Sequence, residues 1–363
     1  MENKKDRLLV SLICILAGLA VGAVIIAILG KNPLTAYYNL LQGCGLAPKG
    51  KYAAGKGMVT DLLSFIDSTT PIIFAALAVA VALKTGLFNI GVSGQMLFAG
   101  FIATVTIGYS SLPAAVAKPL VILVGIAAGG ALGALVGFLR YKFNINEVVS
   151  TIMINYTVSY VVSFFIQTRY VDMVSRQSKM IKAASRLTLK NVMLGGYKCD
   201  IPVGFLLSLA AVAAVAFLLH KMMLGFELKA VGASKGAARY AGIAVGKSTV
   251  ISMLISGALA GLAGVTYYLG YFGSIQPKVL ASTGFDSIAV CLVGGGEPVG
   301  ILAASFFLQI ISKGSAYMSS QSGLESEIAS VITAVILLSS TMSAVFMGLL
   351  SRRRKSVKEE GAK

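Results

Sequence analysis

Apolar runs close to the roughly 20 residues that a helix needs to cross hydrocarbon recur along almost the whole chain, and this recurrence constrains the fold more than any motif does. In a bilayer only structures that satisfy their own backbone hydrogen bonds survive, and runs of this length select helices over a barrel. The runs lie near residues 8–29, 69–84, 91–109, 119–139, 147–168, 203–220, 248–271, 284–293, 298–312 and 326–349. The second and eighth are short for a straight crossing, so they read as discontinuous, tilted or re-entrant, and about eight to ten spans fit. The fold class is all-α and polytopic: a single transmembrane domain over residues 1–350, followed by a basic tail at 351–363. A content of 56% hydrophobic and 12% charged residues, with mean hydropathy +0.84, agrees. The first run exceeds the roughly 7–15-residue core of a secretion signal and is not followed by a small-residue cleavage site, so it is expected to remain as a span.

Lysine and arginine beside the spans set orientation. Lys4, Lys5 and Arg7 place the amino terminus inside. With ten crossings, Arg140, Lys142, Lys221, Lys229, Lys235, Arg239, Lys247 and the tail residues Arg352, Arg353, Arg354 and Lys355 fall inside as well. The external loops are then 30–60 and 169–200. The second of these resists the rule, because Arg169, Arg176, Lys179, Lys182, Arg186, Lys190 and Lys198 face only Asp172 and Asp200. It is either a solvated connector, since long segments obey the rule weakly, or a docking surface for an acidic partner. The net charge of +17 does not indicate nucleic acid, because the cations are scattered through loops with no nucleic-acid fold around them.

Catalytic chemistry is missing from the sequence. His220 is the sole histidine and the acids are dispersed, so neither a triad nor a metal cluster can be assembled. His220 reads as an interfacial residue, with a metal or relay role as the sharper alternative. Gly242 to Thr249 imitates a phosphate loop, but its first required glycine is Ala241, and the residues that follow enter the membrane. Asp67, Glu147 and Asp286 all lie at run ends, which argues against a proton-driven carrier. Of the four cysteines, Cys14 and Cys291 read as small membrane residues, whereas Cys44 and Cys199 fall in external loops and either stay as free thiols or, in the sharper alternative, pair in an oxidising exterior.

Polar residues interrupt the apolar pattern at Leu87 to Gln95. Asn89, Ser93 and Gln95 there, with Asn155 in the fifth span, offer neutral donors and acceptors beside glycines. Such groups either line a hydrated path for an uncharged, hydroxyl-rich solute or hold helices together by hydrogen bonds. Asp286, at the entrance to the eighth span, either faces an external cavity or caps a helix. Glu325 and Glu327 read as first-turn residues of the last helix.

The segment 225–247 between the sixth and seventh spans is a connector or a docking element. Small residues Ala237, Ala238 and Ala241 would let a short helix insert into a partner's groove, with Arg239 and Tyr240 as anchors. This loop, together with Gly86 to Gln95, Glu147 to Tyr156 and Ile288 to Gly296, resembles the permease subunits of ATP-binding-cassette importers of the branched-chain amino acid and ribose type, over nearly the whole chain. Within that group the first two of those stretches, Gly86 to Gln95 and Glu147 to Tyr156, are most similar to nucleoside importer permeases. Ser93 departs from their pattern, which commonly carries glutamate there.

The resemblance implies a second permease, in a heterodimer, and cytoplasmic ATPases docked through Ser234, Lys235, Ala237, Ala238, Arg239 and Tyr240. It also implies an external substrate-binding lipoprotein of the basic membrane protein family. The chain itself would bind no cofactor, and ATP with magnesium would sit on the ATPases. Asn89, Ser93, Gln95, Asn155 and Asp286 would line the path of a cell-membrane protein with both termini cytoplasmic. Permeases for simple sugars or branched-chain amino acids, and a proton-coupled carrier, are the alternatives.

Overall fold

The computed structural model describes residues 4–194, 196–325 and 327–341. The basic tail, with Arg352, Arg353, Arg354 and Lys355, lies outside them. The side chains of Lys4, Lys5, Arg7 and Cys14 are likewise outside what is described.

The helices are α1 (Lys4–Ile28), α2 (Pro33–Gly43), α3 (Met58–Lys84), α4 (Val92–Ala103), α5 (Ala114–Phe143), α6 (Glu147–Phe165), α7 (Val203–Lys221), α8 (Met223–Ala233), α9 (Lys235–Tyr240), α10 (Val245–Val265), α11 (Thr283–Val293), α12 (Pro298–Ser322) and α13 (Glu327–Thr341). π-Helical segments continue α4 (Thr104–Gly108), α6 (Ile166–Tyr170) and α10 (Thr266–Phe272). Among the described residues, six helices are long and apolar enough to cross a membrane: α3, α5, α7, α12, and α6 and α10 with their extensions. Shorter apolar helices occur at Val92–Gly108, Thr283–Val293 and Glu327–Ile336, and α1 supplies a further candidate through Ile15–Ile28. The chain is a multi-pass helical membrane protein, and each of the ten apolar runs has its helix.

The expected length of one span needs correction. The second span is not short: α3 has 27 residues. Its first half is polar enough to look like a loop, but the hydroxyls turn back onto their own helix. Ser68 and Thr69 donate to the Phe65 carbonyl at 2.9 and 2.8 Å, and Thr70 donates to Ile66 at 3.0 Å. Beyond Pro71, every residue from Ile72 to Ala82 is buried, as expected of a helix apolar on all sides. α3 is the central post of the bundle, flanked by α7, α10, α11 and α12.

The segment 30–60 is not a plain loop. After Gly30, with φ +72°, the chain bends by 116° into α2, which starts with Asn32 Oδ1 accepting the Leu34 N–H at 2.9 Å and Pro33 in the first turn. α2 then packs on α12, with Gly43 and Leu40 against Gly314.

The segment 169–200 is not wholly irregular either. It contributes an antiparallel pair, β1 (Thr188–Leu194) and β2 (Tyr197–Pro202), with Thr188 opposite Pro202. Some of its polar groups are tied down: Thr188 Oγ1 donates to Asp67 Oδ1 at 2.8 Å, Lys190 meets Asp200 at 2.8 Å, and Arg186 donates to the Phe272 carbonyl at 2.9 Å.

The closest helix pair is α5 with α10. Gly125, Gly129, Gly133 and Gly137 recur every fourth residue along α5 and meet Gly257, Gly261 and Met253 on α10. A Cβ on Gly129 would collide with the Gly257 carbonyl, and one on Gly133 with the Met253 carbonyl. Without lipid-driven hydrophobic association, such backbone proximity is how membrane helices gain contact.

Cys44, Cys199 and Cys291 are buried free thiols, so of the two readings the pairing of Cys44 with Cys199 is not the one formed. Cys44 Sγ donates to the Ile310 carbonyl at 3.5 Å, and Cys199 Sγ lies 3.9 Å from Thr60 Oγ1. Glu327 opens α13, whereas Glu325 precedes it and its carbonyl accepts the Ile328 N–H.

Candidate functional site

Two helices begin inside the bundle. α11 has 11 residues, about 16 Å of helix against a hydrocarbon core of roughly 30 Å. Its first turn abuts that of α4, with Gly284 on Ser93 and Ser93 Oγ donating to the Ala281 carbonyl at 2.9 Å. Each helix start leaves backbone N–H groups without intrahelical acceptors and carries about half a positive charge. Two such ends inside an apolar bundle require acceptors: the Ala281 and Ser282 carbonyls serve the start of α11, and named amides serve the start of α4.

Asn155 on α6 accepts the Gly94 N–H through Oδ1 at 2.8 Å and donates Nδ2 to the Ile90 carbonyl at 3.0 Å. Asn89 Oδ1 accepts the Gly91 N–H at 3.0 Å, while its Nδ2 donates to Gln95 Oε1 at 3.0 Å and Ser256 Oγ at 2.8 Å. Ser256 in turn donates to the Ala78 carbonyl at 2.7 Å. One network therefore joins α3, α4, α6 and α10. Gln95 Nε2 is buried within it without a hydrogen-bond partner among the described residues.

Asn89, Ser93 and Gln95 are 0% exposed and Asn155 is 3% exposed, so in this conformation the four hold helices together and border no open space. Asp286 differs. It lies in the first turn of α11 and borders a cavity of about 370 Å³ between α3, α11, α12 and α13. Ser282, Ser312, Ser315, Ser330 and Thr333 bring hydroxyls to the same wall. The link between this cavity and the amide network runs through the Ser93–Gly284 contact.

At the opposite end of α11 the proposed coupling segment forms α8 and α9. Ser234 caps α9 by accepting the Ala237 N–H at 3.3 Å. Lys235, Ala237, Arg239 and Tyr240 are exposed, and Tyr240 is 97% exposed. Ala238 is buried and faces the chain's own bundle, so it belongs to the support of α9 and not to its outer face. Gly232 on α8 rests on the end of α3, where a Cβ would stand 3.1 Å from Gly86 N and collide with the Lys84 carbonyl.

Sequence reasoning missed the ion cluster beside this contact. Lys84 Nζ meets Glu297 Oε1 at 2.7 Å, and His220 Nε2 lies 3.3 Å from Glu297 Oε2. The three residues end different apolar runs, and no local pattern connects them. Lys313 was missed as well: inside α12 its ammonium donates to Ser64 Oγ at 3.1 Å and Tyr271 OH at 2.6 Å.

The other two acids at run ends have structural partners. Glu147 pairs with Arg140 at 3.1 Å across the α5–α6 turn, and Asp67 takes the Thr188 hydroxyl. Gly246 and Lys247 fall in the first turn of α10, preceded by α9 and not by a strand, and the Tyr141 ring occupies the space beside Gly246. A phosphate cradle is not formed there. Among the described residues no group of three or more His, Cys, Asp or Glu could hold a metal ion.

Residues 62–341 match the family model described as the permease component of the branched-chain amino acid transport system. The chain is 32% identical over 371 residues to the nucleoside ABC transporter permease protein NupB of Lactococcus lactis subsp. cremoris, covering 100% of this chain and 98% of that one. It is 35% identical over 357 residues to the guanosine ABC transporter permease protein NupP of Bacillus subtilis, covering 98% and 99%. A second Lactococcus lactis protein, the nucleoside ABC transporter permease protein NupC, is 24% identical over 249 residues, covering 67% of this chain and 78% of its own.

Proposed function

We propose, from the premise that this chain belongs to the family of branched-chain amino acid transport system permease components, that it forms one side of the path of an ATP-driven nucleoside importer. The observation that carries the reading is the joint at Ser93 and Gly284, where two interrupted helices meet among uncharged amides and hydroxyls. Discontinuous helices joined at depth can change their mutual tilt without exposing charge to lipid, which suits passage of a neutral, hydroxyl-rich solute. The full-length similarity to proteins described as nucleoside and guanosine permeases supports that solute class.

In this reading Asp286 and the hydroxyls of its cavity meet the solute. Asn89, Ser93, Gln95 and Asn155 form the movable joint of the path. The second side of the path is a different, homologous permease, a pairing supported by the two distinct Lactococcus lactis relatives. Separate ATPases dock on α8 and α9 from the cytoplasm, where both termini also lie. ATP and magnesium bind to those ATPases, and this chain holds no cofactor. An external lipoprotein delivers solute at the β1–β2 end, where Arg169, Arg176, Lys179 and Lys198 present positive charge to an acidic surface.

The test is uptake of labelled nucleoside by cells expressing the chain with its partner permease, ATPases and lipoprotein, with unlabelled nucleosides, simple sugars and branched-chain amino acids as competitors. The reading expects competition by nucleosides alone and loss of uptake on ATP depletion. Competition by sugars or amino acids would reassign the solute. Uptake that survives ATP depletion but stops when the proton gradient collapses would reject the importer.

A further inference from the structure

The outward face of α6 carries hydroxyls where a lipid-facing helix has none. Along α6 and its extension, Val149, Met153, Tyr156, Tyr160 and Phe164 form an exposed stripe, with Thr157 beside it. Tyr156 and Tyr160 are 58% and 67% exposed. They stand about 14 and 20 Å along a helix about 36 Å long, well inside the hydrocarbon depth and away from the interfacial zones where tyrosine is usually found. No hydrogen bond reaches either hydroxyl among the described residues.

The long outward faces of α5 and α7 differ. From Leu123 to Phe138, α5 exposes only Leu, Ile, Ala and Phe, and from Val203 to Phe217, α7 exposes only Val, Leu, Ala and Phe. A phenol held in hydrocarbon without a partner costs several kcal/mol, roughly 2–7 on transfer scales. Two such groups one turn apart therefore mark a face that is not covered by lipid. The opposite side of the same helix bears Asn155, which pins the α4 break, so this face and the Ser93–Gly284 joint share one helix. Toward the α8–α9 end the stripe runs into an apolar groove of about 380 Å³ between α5 and α6, lined by Val149, Met153 and Thr157.

We infer that the Tyr156, Tyr160 and Phe164 face is a wall of the solute path on this chain, in addition to the Asp286 cavity, with the tyrosine rings stacking against a planar heterocyclic base and their hydroxyls left to the water of the path. The inference rests on the importer reading above and deepens it by naming the surface that meets the base. Rings at positions i, i+4 and i+8 rise about 6 Å per step, so a flat solute can pass from one to the next without losing contact.

The experiment uses the complete importer. Native cysteines are replaced by serine, and single cysteines are placed at Tyr156, Tyr160, and, as lipid-facing references, Leu123 and Leu206. Labelling by a membrane-impermeant charged thiol reagent is expected to be at least about tenfold faster at 156 and 160 than at 123 and 206, and to slow in the presence of excess nucleoside.

In parallel, Tyr160→Leu should raise KM for nucleoside about tenfold with little change in kcat, in proportion to a lost stacking contact, while Tyr160→Phe keeps KM within about twofold. Labelling at 156 and 160 as slow as at the reference positions would place the face in lipid and overturn the inference. Fast labelling only when the partner permease is left out would make it a plain subunit contact and also overturn it. Water-accessible tyrosine positions in a complex that fails to take up nucleosides would instead leave the wall in place and reject the solute.

Discussion

Gly284 lies so close to Ser93 that a Cβ at 284 would stand 2.6 Å from the Ser93 nitrogen and 2.8 Å from its Cα. The first turns of α11 and α4 thus touch through backbone, and only glycine permits the approach. Gly284→Val should separate the two helices and destabilise the folded protein by about 1–3 kcal/mol, the usual range for an overpacked core. Ser93→Gly in the same chain should recover part of that loss, because the residues are in direct contact. Thermal unfolding of the purified importer in detergent measures both, and strictly additive effects would contradict the contact.

Two neighbouring glycines on α5 should respond in opposite ways. Gly133→Ala drives a methyl into the Met253 carbonyl of α10 and should sharply lower the yield of folded protein. A Cβ at Gly130 meets nothing closer than 3.6 Å, so Gly130→Ala should be neutral or stabilising by up to about 1 kcal/mol through helix propensity. Equal behaviour of the two variants in a fluorescence-detected size-exclusion assay would show that the α5–α10 seam is not as tight as described.

The coupling segment also separates into two kinds of residue. Tyr240→Ala removes a side chain that touches nothing on its own chain, so it should leave folding intact and cut ATP-driven uptake about tenfold or more, as expected of an interface anchor. Ala238→Leu overfills a buried position and should lower stability before it affects turnover. Uptake and ATP hydrolysis measured side by side on the reconstituted complex distinguish these outcomes; full uptake by Tyr240→Ala would remove that residue from the docking face.

The thiols give a direct test of the external end. Burial pushes the Cys44 thiol up to about 12, against smaller lowering by Lys313 and Lys49, so it stays protonated and unreactive near neutral pH. Intact mass should be unchanged by reductant, and Cys44 should resist maleimide at pH 8 until the protein is denatured. A mass difference of one disulfide would show that Cys44 and Cys199 do pair.

Much of the fold was legible because hydrophobic length is a strong signal: all ten apolar runs became helices. The failures have physical causes. The start of α3 was hidden because Asp61, Ser64, Asp67 and Thr70 look like loop residues until their helical and hairpin partners are seen. α2 was hidden because Pro33 to Gly43 is short and its apolar side meets Gly314, far away in sequence. The α5–α10 seam had a readable signal, glycine at every fourth residue from 125 to 137. In the candidate site, the polar break at Asn89 to Gln95 was visible at once, since polar groups inside an apolar run need a reason. That Asn155 would serve as the acceptor for the Gly94 N–H was not visible, because the two residues are separated by a whole helix and a turn. The exposed tyrosines of α6 could not be read from sequence at all: their meaning depends on which way the helix is turned.

Glu297 offers one carboxylate oxygen to Lys84 at the end of α3 and the other to His220 at the end of α7, while Gly232 leans on the same stretch of α3. A single side chain thereby ties three separate strokes of the molecule to a common pivot. Any displacement of α8 against α3 would therefore have to disturb the ends of α3 and α7 and the α11–α12 corner together.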